Sequence, residues 1–85
     1  MDFEDLKREL KQLVIEECDL ELAADELHDD ELLLGGDSRL SLDSLDALTI
    51  ALAVKDRYGK HIDSGNETRN ALVSIATLAQ FVATD

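Results

Sequence analysis

The residues of this chain best suited to chemistry are serines that follow aspartates in the stretch GGDSRLSLDSLD, residues 35–46. The pair Asp-Ser occurs there twice, as Asp37-Ser38 and as Asp43-Ser44. Ser44 opens an apolar pattern of helical period, so we expect its hydroxyl at a helix N-terminus, where unpaired backbone N–H groups and the helix dipole favour an anion. A phosphoester on this oxygen would suit that position. Asp43 is placed either to cap the helix or to hold a divalent metal ion on a phosphate donor.

The same residues also have an interpretation that needs no function. Asp and Ser are preferred N-cap residues, and an Asp-Ser pair before an apolar helix is explained by capping alone. Ser38 follows two glycines and precedes no apolar helix, which is typical of a turn residue. Ser41, between Leu40 and Leu42, takes the polar position of an extended segment. Spacing alone therefore favours capping over chemistry at Ser44.

Helical periodicity marks the first elements that must position these residues. From Phe3 to about Cys18, apolar residues recur at spacings of three and four, which predicts an amphipathic helix with Asp2 as its N-cap. Residues 19–43 mix acidic residues with short apolar pieces, and Gly35-Gly36 interrupts any helix there. We expect a long ordered loop with one turn of helix, whose leucines pack onto the helices.

Further helical segments follow this loop. The second helix is predicted from Ser44 to Tyr58 with Gly59 as its C-cap, and Ser74 is expected to N-cap a last helix. A short helix is expected from about Glu67 to Leu72, after a turn at Gly65-Asn66. No stretch alternates as a strand does. The expected fold is therefore all-α: a single domain over residues 1–85, built as a small four-helix bundle of three main helices and one short helix, with a long loop between the first and second helices.

The second helix carries more apolar residues than one buried face requires. A helical wheel separates them into two stripes rotated by roughly 100° or more. The stripes consist of Ala47, Ile50, Ala51, Val54 and Tyr58 on one side, and of Leu45, Leu48 and Leu52 on the other. Either the three leucines pack under the long loop, or they are exposed between Asp46 and Asp56 as a surface for a transient partner.

The charge of the chain is acidic and unevenly distributed. The formal net charge of the 85 residues is −12; residues 1–46 hold 16 Asp and Glu against 4 Lys and Arg, and residues 47–85 hold 4 against 4. Such a surface repels nucleic acid, attracts basic protein surfaces and also keeps a small protein soluble.

No apolar run approaches the roughly 20 residues that cross a bilayer. Because the start is acidic and Cys18 is the single cysteine, we expect a cytoplasmic protein.

The size and residue set of the chain argue against catalysis and against a bound metal. A chain of 85 residues leaves little room for a pocket walled on all sides, and no paired nucleophile and base stands out. His28 and His61 are isolated, and the cluster Asp29-Asp30-Glu31 lacks the ligand spacing of an EF-hand. Cys18 has no basic neighbour in sequence that would lower its pKa. We therefore expect neither enzyme activity nor a metal site.

Over nearly its whole length, the chain resembles the acyl carrier proteins. The resemblance lies in the run LDSLDAL from Leu42 to Leu48, in the acidic loop with Leu-Leu-Leu-Gly-Gly before it, in RYGKHI from Arg57 to Ile62, and in the last helix from Ser74 to Val82. In that family the serine of a (Leu/Ala)-Asp-Ser-Leu motif carries a 4′-phosphopantetheine arm. The resemblance implies that Ser44 receives this arm from coenzyme A through a separate phosphopantetheinyl transferase and Mg²⁺. Asp43 would assist recognition and metal binding at that step.

The resemblance also implies a role for each stripe of the second helix. Positions exposed to partner enzymes correspond to Leu45, Leu48 and Leu52, with Asp46 and Asp56 beside them. Positions lining an apolar interior that shelters an acyl chain correspond to Ile50, Val54, Ile62, Ile75 and Leu78. The implied function is a monomeric carrier that holds acyl intermediates as thioesters. It would present them to acyl-transferring, condensing and reducing enzymes of fatty-acid or polyketide-type biosynthesis.

Several positions depart from the pattern of that family. Thr49, Lys55 and Arg57 stand where carboxylates are common, and Asp63 replaces a common proline after Ile62. We therefore expect partner contacts to depend more on the leucines than on charge. We also expect a specialised bacterial carrier, such as one for aryl polyenes or polyketide-like lipids, rather than the housekeeping one. The alternatives are a peptidyl or D-alanyl carrier, which shares the motif, and a non-covalent acidic interaction module that docks through the leucines.

Overall fold

The computed structural model describes residues 2–34, 40, 42–62 and 70–83, and they form an all-α structure. Helix α1 spans Phe3–Glu17, a 3₁₀ turn spans Ala24–Glu26, α2 spans Ser44–Tyr58 and α3 spans Ile75–Ala83. The described residues contain no strand, and only an isolated parallel bridge joins Leu34 and Leu42. The predicted all-α class is confirmed.

Helix α1 forms where apolar residues recur at spacings of three and four, and it buries that face. The buried residues are Leu6, Leu10, Leu13, Val14 and Ile15. Asp2 occupies the N-cap position, but its carboxylate makes no capping hydrogen bond to the described residues. The helix ends one residue before the predicted end, with Cys18 as the C-cap residue. Its position was therefore readable from periodicity alone.

Local signals also explain where α2 ends and where α3 begins. Gly59 adopts a left-handed conformation with φ of 71°, and its N–H donates to the carbonyl of Lys55 at 2.9 Å. Before α3, the Ser74 hydroxyl accepts a hydrogen bond from the N–H of Thr77 at 3.3 Å. In return, the Thr77 hydroxyl accepts one from the N–H of Ser74 at 2.9 Å. The predicted C-cap and N-cap are both confirmed.

The core is built around α1, which packs against both α2 and α3. Its largest fully buried side chains are Leu10, Leu13, Val14, Leu27, Leu33, Ile50, Val54, Leu72, Ile75 and Leu78. Leu27 and Leu33 belong to the segment between α1 and α2, and Leu42, just before α2, is also buried. Burying one such leucine is worth about 2 kcal/mol relative to leaving it exposed. The described part of this connection therefore contributes to the core rather than lying over it.

Main-chain hydrogen bonds join this connection to the start of α3. The N–H of Leu33 donates to the carbonyl of Val73 at 3.0 Å, and the N–H of Ala76 donates to the carbonyl of Asp29 at 2.7 Å. A further bond runs from the N–H of Leu42 to the carbonyl of Leu33 at 3.3 Å. The starts of α2 and α3 are thus joined through the main chain of one intervening segment.

Some sequence expectations lie wholly or partly outside the described residues. These are the turn at Ser38, the extended segment at Ser41, the turn at Gly65-Asn66 and the first half of the short helix expected from Glu67 to Leu72. Asn70 and Ala71, the first described residues after that gap, are helical. Among the described helices, none is both long enough and apolar enough to cross a membrane.

Candidate functional site

Two aspartates cap the start of α2, and each side chain is hydrogen-bonded to the backbone N–H of the other residue. Asp43 is the N-cap residue, with extended backbone (φ −105°, ψ −172°). Its carboxylate accepts a hydrogen bond from the N–H of Asp46 at 3.0 Å, and the Asp46 carboxylate accepts one from the N–H of Asp43 at 3.2 Å. The backbone N–H of Asp46 lowers the pKa of Asp43, because it stabilises the charged carboxylate. This reciprocal pair is a capping box with Asp at both positions.

Ser44 is the first residue of α2, and its side chain is exposed. Its hydroxyl makes no hydrogen bond to any residue that the structure describes. The interpretation of Ser44 as the cap of this helix is therefore wrong. Asp43 takes that position because the chain is still extended there and becomes helical only one residue later.

The second stripe of α2 is exposed, as expected for a partner surface. The side chains of Leu45, Leu48 and Leu52 are 72%, 54% and 59% exposed; we call these three residues the leucine strip. The opposite face is buried and consists of Ala47, Ile50, Ala51 and Val54. The interpretation in which the three leucines pack under the long loop is therefore wrong. Single exposed leucines are common, but three on one helix face form a continuous apolar surface.

Charged residues of both signs lie at the edges of the leucine strip. Asp43 is exposed at its N-terminal end, and Lys55 and Asp56 are exposed at its C-terminal end. Neither Lys55 nor Asp56 forms an ion pair with the described residues. Asp46, which the sequence assigned to the partner surface, is half-buried and holds the capping box. The strip therefore has an apolar centre with a mixed rather than acidic edge.

The five residues expected in the apolar interior lie together in one buried cluster. They are Ile50, Val54, Ile62, Ile75 and Leu78. Ile62 is 6% exposed and the other four are fully buried. Because α1 and the loop leucines complete the same cluster, these residues also hold the helices together.

Tyr58 joins the C-terminal end of α2 to α1. Its hydroxyl donates to Glu9 Oε1 at 3.0 Å, across 49 positions of the chain. Burial of the ring, together with the bond to Glu9, raises the pKa of Tyr58 to about 12. The sequence placed Tyr58 on the core face, but nothing in the sequence pattern signalled its partner.

A second site was missed from the sequence and lies beside α1. Lys7 Nζ contacts Asp29 Oδ2 at 2.7 Å, and Lys11 Nζ contacts Asp29 Oδ1 at 2.6 Å. The three side chains line an open groove of about 620 Å³ together with Glu4, Arg8, Ala24 and Asp25. The spacing of the lysines by four residues indicated a shared helix face, but no local signal pointed to an aspartate 18 or more residues later.

The thiol of Cys18, close to Asp43 and Asp46, is unsuited to nucleophilic chemistry. Burial, and after it the carboxylates of Asp46, Glu17 and Asp43, raise the pKa of the Cys18 thiol to about 11. The thiolate, which is the reactive form, is therefore scarce at neutral pH. Within the described ranges, no three His, Cys, Asp or Glu side chains are grouped so that they could hold a metal ion.

Comparison with known proteins identifies no relative of this chain, so the site is interpreted from its geometry. No protein-family model matches the chain, and searches of curated proteins and of solved structures give no match.

Proposed function

We propose that this chain is a carrier protein of the acyl carrier type, in which Ser44 is the attachment point of a 4′-phosphopantetheine arm. The capping box of α2 carries this proposal. Because Asp43 and Asp46 cap the helix start, capping does not use the exposed hydroxyl of Ser44, which makes no hydrogen bond to the described residues. A phosphate there would lie at the positive end of the helix dipole. The exposed alcohol of Ser44 at the helix start is therefore a suitable nucleophile for forming a phosphoester.

Attachment of the arm requires only two features of this chain: the hydroxyl oxygen of Ser44 and a surface that binds the transferase. Ser44 Oγ forms a bond to the phosphorus of the phosphopantetheine group of coenzyme A, and the bond from that phosphorus to adenosine 3′,5′-bisphosphate breaks. The hydroxyl proton passes to a base of the transferase. Asp43 lies directly before Ser44, and its exposed carboxylate would be the oxygen ligand that this chain offers to Mg²⁺ at that step. When bound, the arm supplies a flexible tether whose thiol holds an acyl group as a thioester.

The leucine strip is the proposed surface for the transferase and for acyl-transferring, condensing and reducing enzymes. Its exposed apolar centre suits a transient interface, and the net charge of −12 attracts basic surfaces of such partners. Docking beside Ser44 raises the effective concentration of a tethered group at the partner's active site. No catalytic group is required of the chain itself.

The remaining elements of the proposal follow from the carrier assignment. The cluster of Ile50, Val54, Ile62, Ile75 and Leu78 is the proposed shelter for an acyl chain. A short helix over residues 67–72 would complete a four-helix bundle with a long loop after α1. The proposed carrier is monomeric and cytoplasmic, and its pathway is a specialised bacterial one.

Intact mass measurement tests the attachment directly. The protein is incubated with coenzyme A, Mg²⁺ and a promiscuous phosphopantetheinyl transferase. The unaltered chain and Ser38→Ala should each gain the mass of one arm, and Ser44→Ala should gain none. A chain that gains no mass contradicts the carrier assignment, and a gain that depends on Ser38 contradicts the choice of serine.

The second candidate is a non-covalent interaction module that leaves Ser44 unmodified. The leucine strip favours it, because an exposed apolar surface serves docking with or without an attached arm. Under this function no mass is gained, and Leu48→Asp abolishes partner binding whereas Ser44→Ala leaves it intact. A peptidyl or D-alanyl carrier would gain the same arm and differ in the acid loaded onto it.

A further inference from the structure

The carboxylate of Asp29 is held by two lysines of α1. Its two oxygens lie 2.7 Å from Lys7 Nζ and 2.6 Å from Lys11 Nζ. The lysine side chains are only 13% and 17% exposed, and that of Asp29 is 38% exposed. Lys7 also contacts Glu4 at 2.9 Å, so its charge is shared between two carboxylates. A partly buried, doubly bound carboxylate is a more defined anchor than a surface ion pair.

The main chain of the same segment is bound to the start of α3. The carbonyl of Asp29 accepts the N–H of Ala76 at 2.7 Å, one of the first-turn N–H groups that the helix itself leaves unpaired. Four residues later, the N–H of Leu33 donates to the carbonyl of Val73 at 3.0 Å. Residues 29–33 are therefore tied at both ends to the start of α3, while the Asp29 side chain ties them to α1.

From Leu33, one further hydrogen bond leads to the candidate site. The carbonyl of Leu33 accepts the N–H of Leu42 at 3.3 Å, and the side chains of both leucines are buried. The next residue, Asp43, caps α2, and Ser44 follows. The backbone direction with which the chain enters α2 is therefore supported by a segment that Asp29 anchors.

We propose that Asp29 is a positioning residue for the Ser44 site: its ion pairs to Lys7 and Lys11 hold residues 29–33, which in turn hold Leu42 and the start of α2. The effect on modification of Ser44 rests on the proposed function, whereas the effect on the start of α2 does not. A contiguous set of contacts can transmit such an effect, and the salt bridges, the packed leucines and the hydrogen bond at Leu42 form one.

Amide hydrogen exchange tests the positioning of α2 whether or not Ser44 is modified. The variant Asp29→Asn removes the charge but keeps the side-chain shape and the main-chain carbonyl. Asp30→Asn is the matched control, because Asp30 is exposed and forms no ion pair with the described residues. In Asp29→Asn, the amides of Leu42 and Asp46 should exchange roughly threefold to tenfold faster, as loss of a hydrogen bond of ordinary strength predicts. The control should match the unaltered chain.

An amide at the opposite end of α2 separates loosening near Asp29 from a general change in exchange. The N–H of Gly59, which is bonded to the carbonyl of Lys55, opens by fraying of the helix end and should keep its exchange rate in Asp29→Asn. The variant Lys11→Gln, which removes a lysine partner of Asp29, should give the same pattern. If Asp29→Asn fails to fold, Lys11→Gln and Asp29→Glu, which keeps the charge, decide the question. Equal acceleration at Gly59, Leu42 and Asp46 contradicts a positioning role, as does unchanged exchange at Leu42 and Asp46.

The modification rate supplies the functional readout. The kcat/KM of the transferase for Asp29→Asn should fall by roughly threefold relative to Asp30→Asn, with the loss recovered in Asp29→Glu. Faster exchange at Leu42 without any change in kcat/KM would make Asp29 a structural residue only and overturn its role at Ser44. If the unaltered chain gains no arm, the proposed function fails, and the exchange experiment alone decides whether Asp29 positions the start of α2.

Discussion

Truncation of two neighbouring aliphatic residues of α2 measures how differently its two faces contribute to stability. Ile50 is fully buried, whereas Leu48 in the leucine strip is 54% exposed. The variants Ile50→Ala and Leu48→Ala remove side chains of equal carbon number from the same helix. Alanine preserves or improves helix propensity at both positions. The difference between the two variants therefore reports burial.

The expected losses of unfolding free energy differ severalfold. Ile50→Ala removes buried carbon atoms and leaves a cavity in the buried cluster to which Ile50 belongs, which costs about 2–5 kcal/mol. Leu48→Ala removes atoms that already contact water, and such surface changes stay within about 0.5 kcal/mol. An 85-residue domain has a total stability of about 4–13 kcal/mol. The Ile50 variant therefore loses a large fraction of the total.

Urea unfolding followed by far-ultraviolet circular dichroism at pH 7 provides the measurement. With a slope of about 1 kcal/mol per molar urea, the midpoint of Ile50→Ala should fall by about 2 M or more, and that of Leu48→Ala by less than about 0.5 M. A loss above about 1.5 kcal/mol in Leu48→Ala would mean that this leucine is buried in solution. The reasoning from an exposed strip to a partner surface would then fail.

The remaining predictions concern the ion pairs and the C-cap. Lys11 and Lys7 lower the pKa of Asp29, so its stabilisation is present above the ordinary carboxyl pKa of about 3.9 and is lost as pH falls through the lower, folded-state value. The difference in unfolding free energy between the unaltered chain and Asp29→Asn should therefore be constant from about pH 5 to pH 8 and shrink below about pH 4. Urea unfolding at each pH measures this difference. A difference that persists undiminished at about pH 2 would contradict the ion-pair explanation. Gly59 has φ of 71°, and a Cβ at this position would meet no atom within 4 Å, so Gly59→Ala should cost about 1 kcal/mol from backbone conformation alone. Gly59→Asn should cost less, because Asn tolerates this conformation, and equal thermal midpoints for both variants would refute that explanation.

Local signals account for the parts of the fold that the sequence predicted. The bounds of α1 follow from its apolar spacing, and those of α2 from the apolar run that Gly59 ends. Ser74 was identified as a cap because an apolar helix follows it directly. These features depend on residues within one or two helical turns of each other, so a short stretch of sequence is enough to predict them.

The candidate site was only partly predictable, for physical reasons. Asp43 and Ser44 are both good capping residues, and the choice between them depends on the direction from which the chain enters α2. The hydrogen bond from the N–H of Leu42 to the carbonyl of Leu33 supports that direction, and no periodicity in the sequence shows it. The exposure of the leucine strip likewise depends on which α2 face meets α1. The anchoring of Asp29 by α1 is equally a tertiary contact between distant segments.

The net charge of the chain opposes self-association through the leucine strip. An exposed row of leucines can be covered by a second copy of the same chain as readily as by another protein. Two copies that each carry a charge of −12 repel one another, and the repulsion fades as carboxylates gain protons or as salt screens them. Acid or high salt therefore weakens the charge repulsion that opposes self-association through the leucine strip. Dilute, near-neutral, low-salt solutions are the conditions in which the strip stays available to a partner.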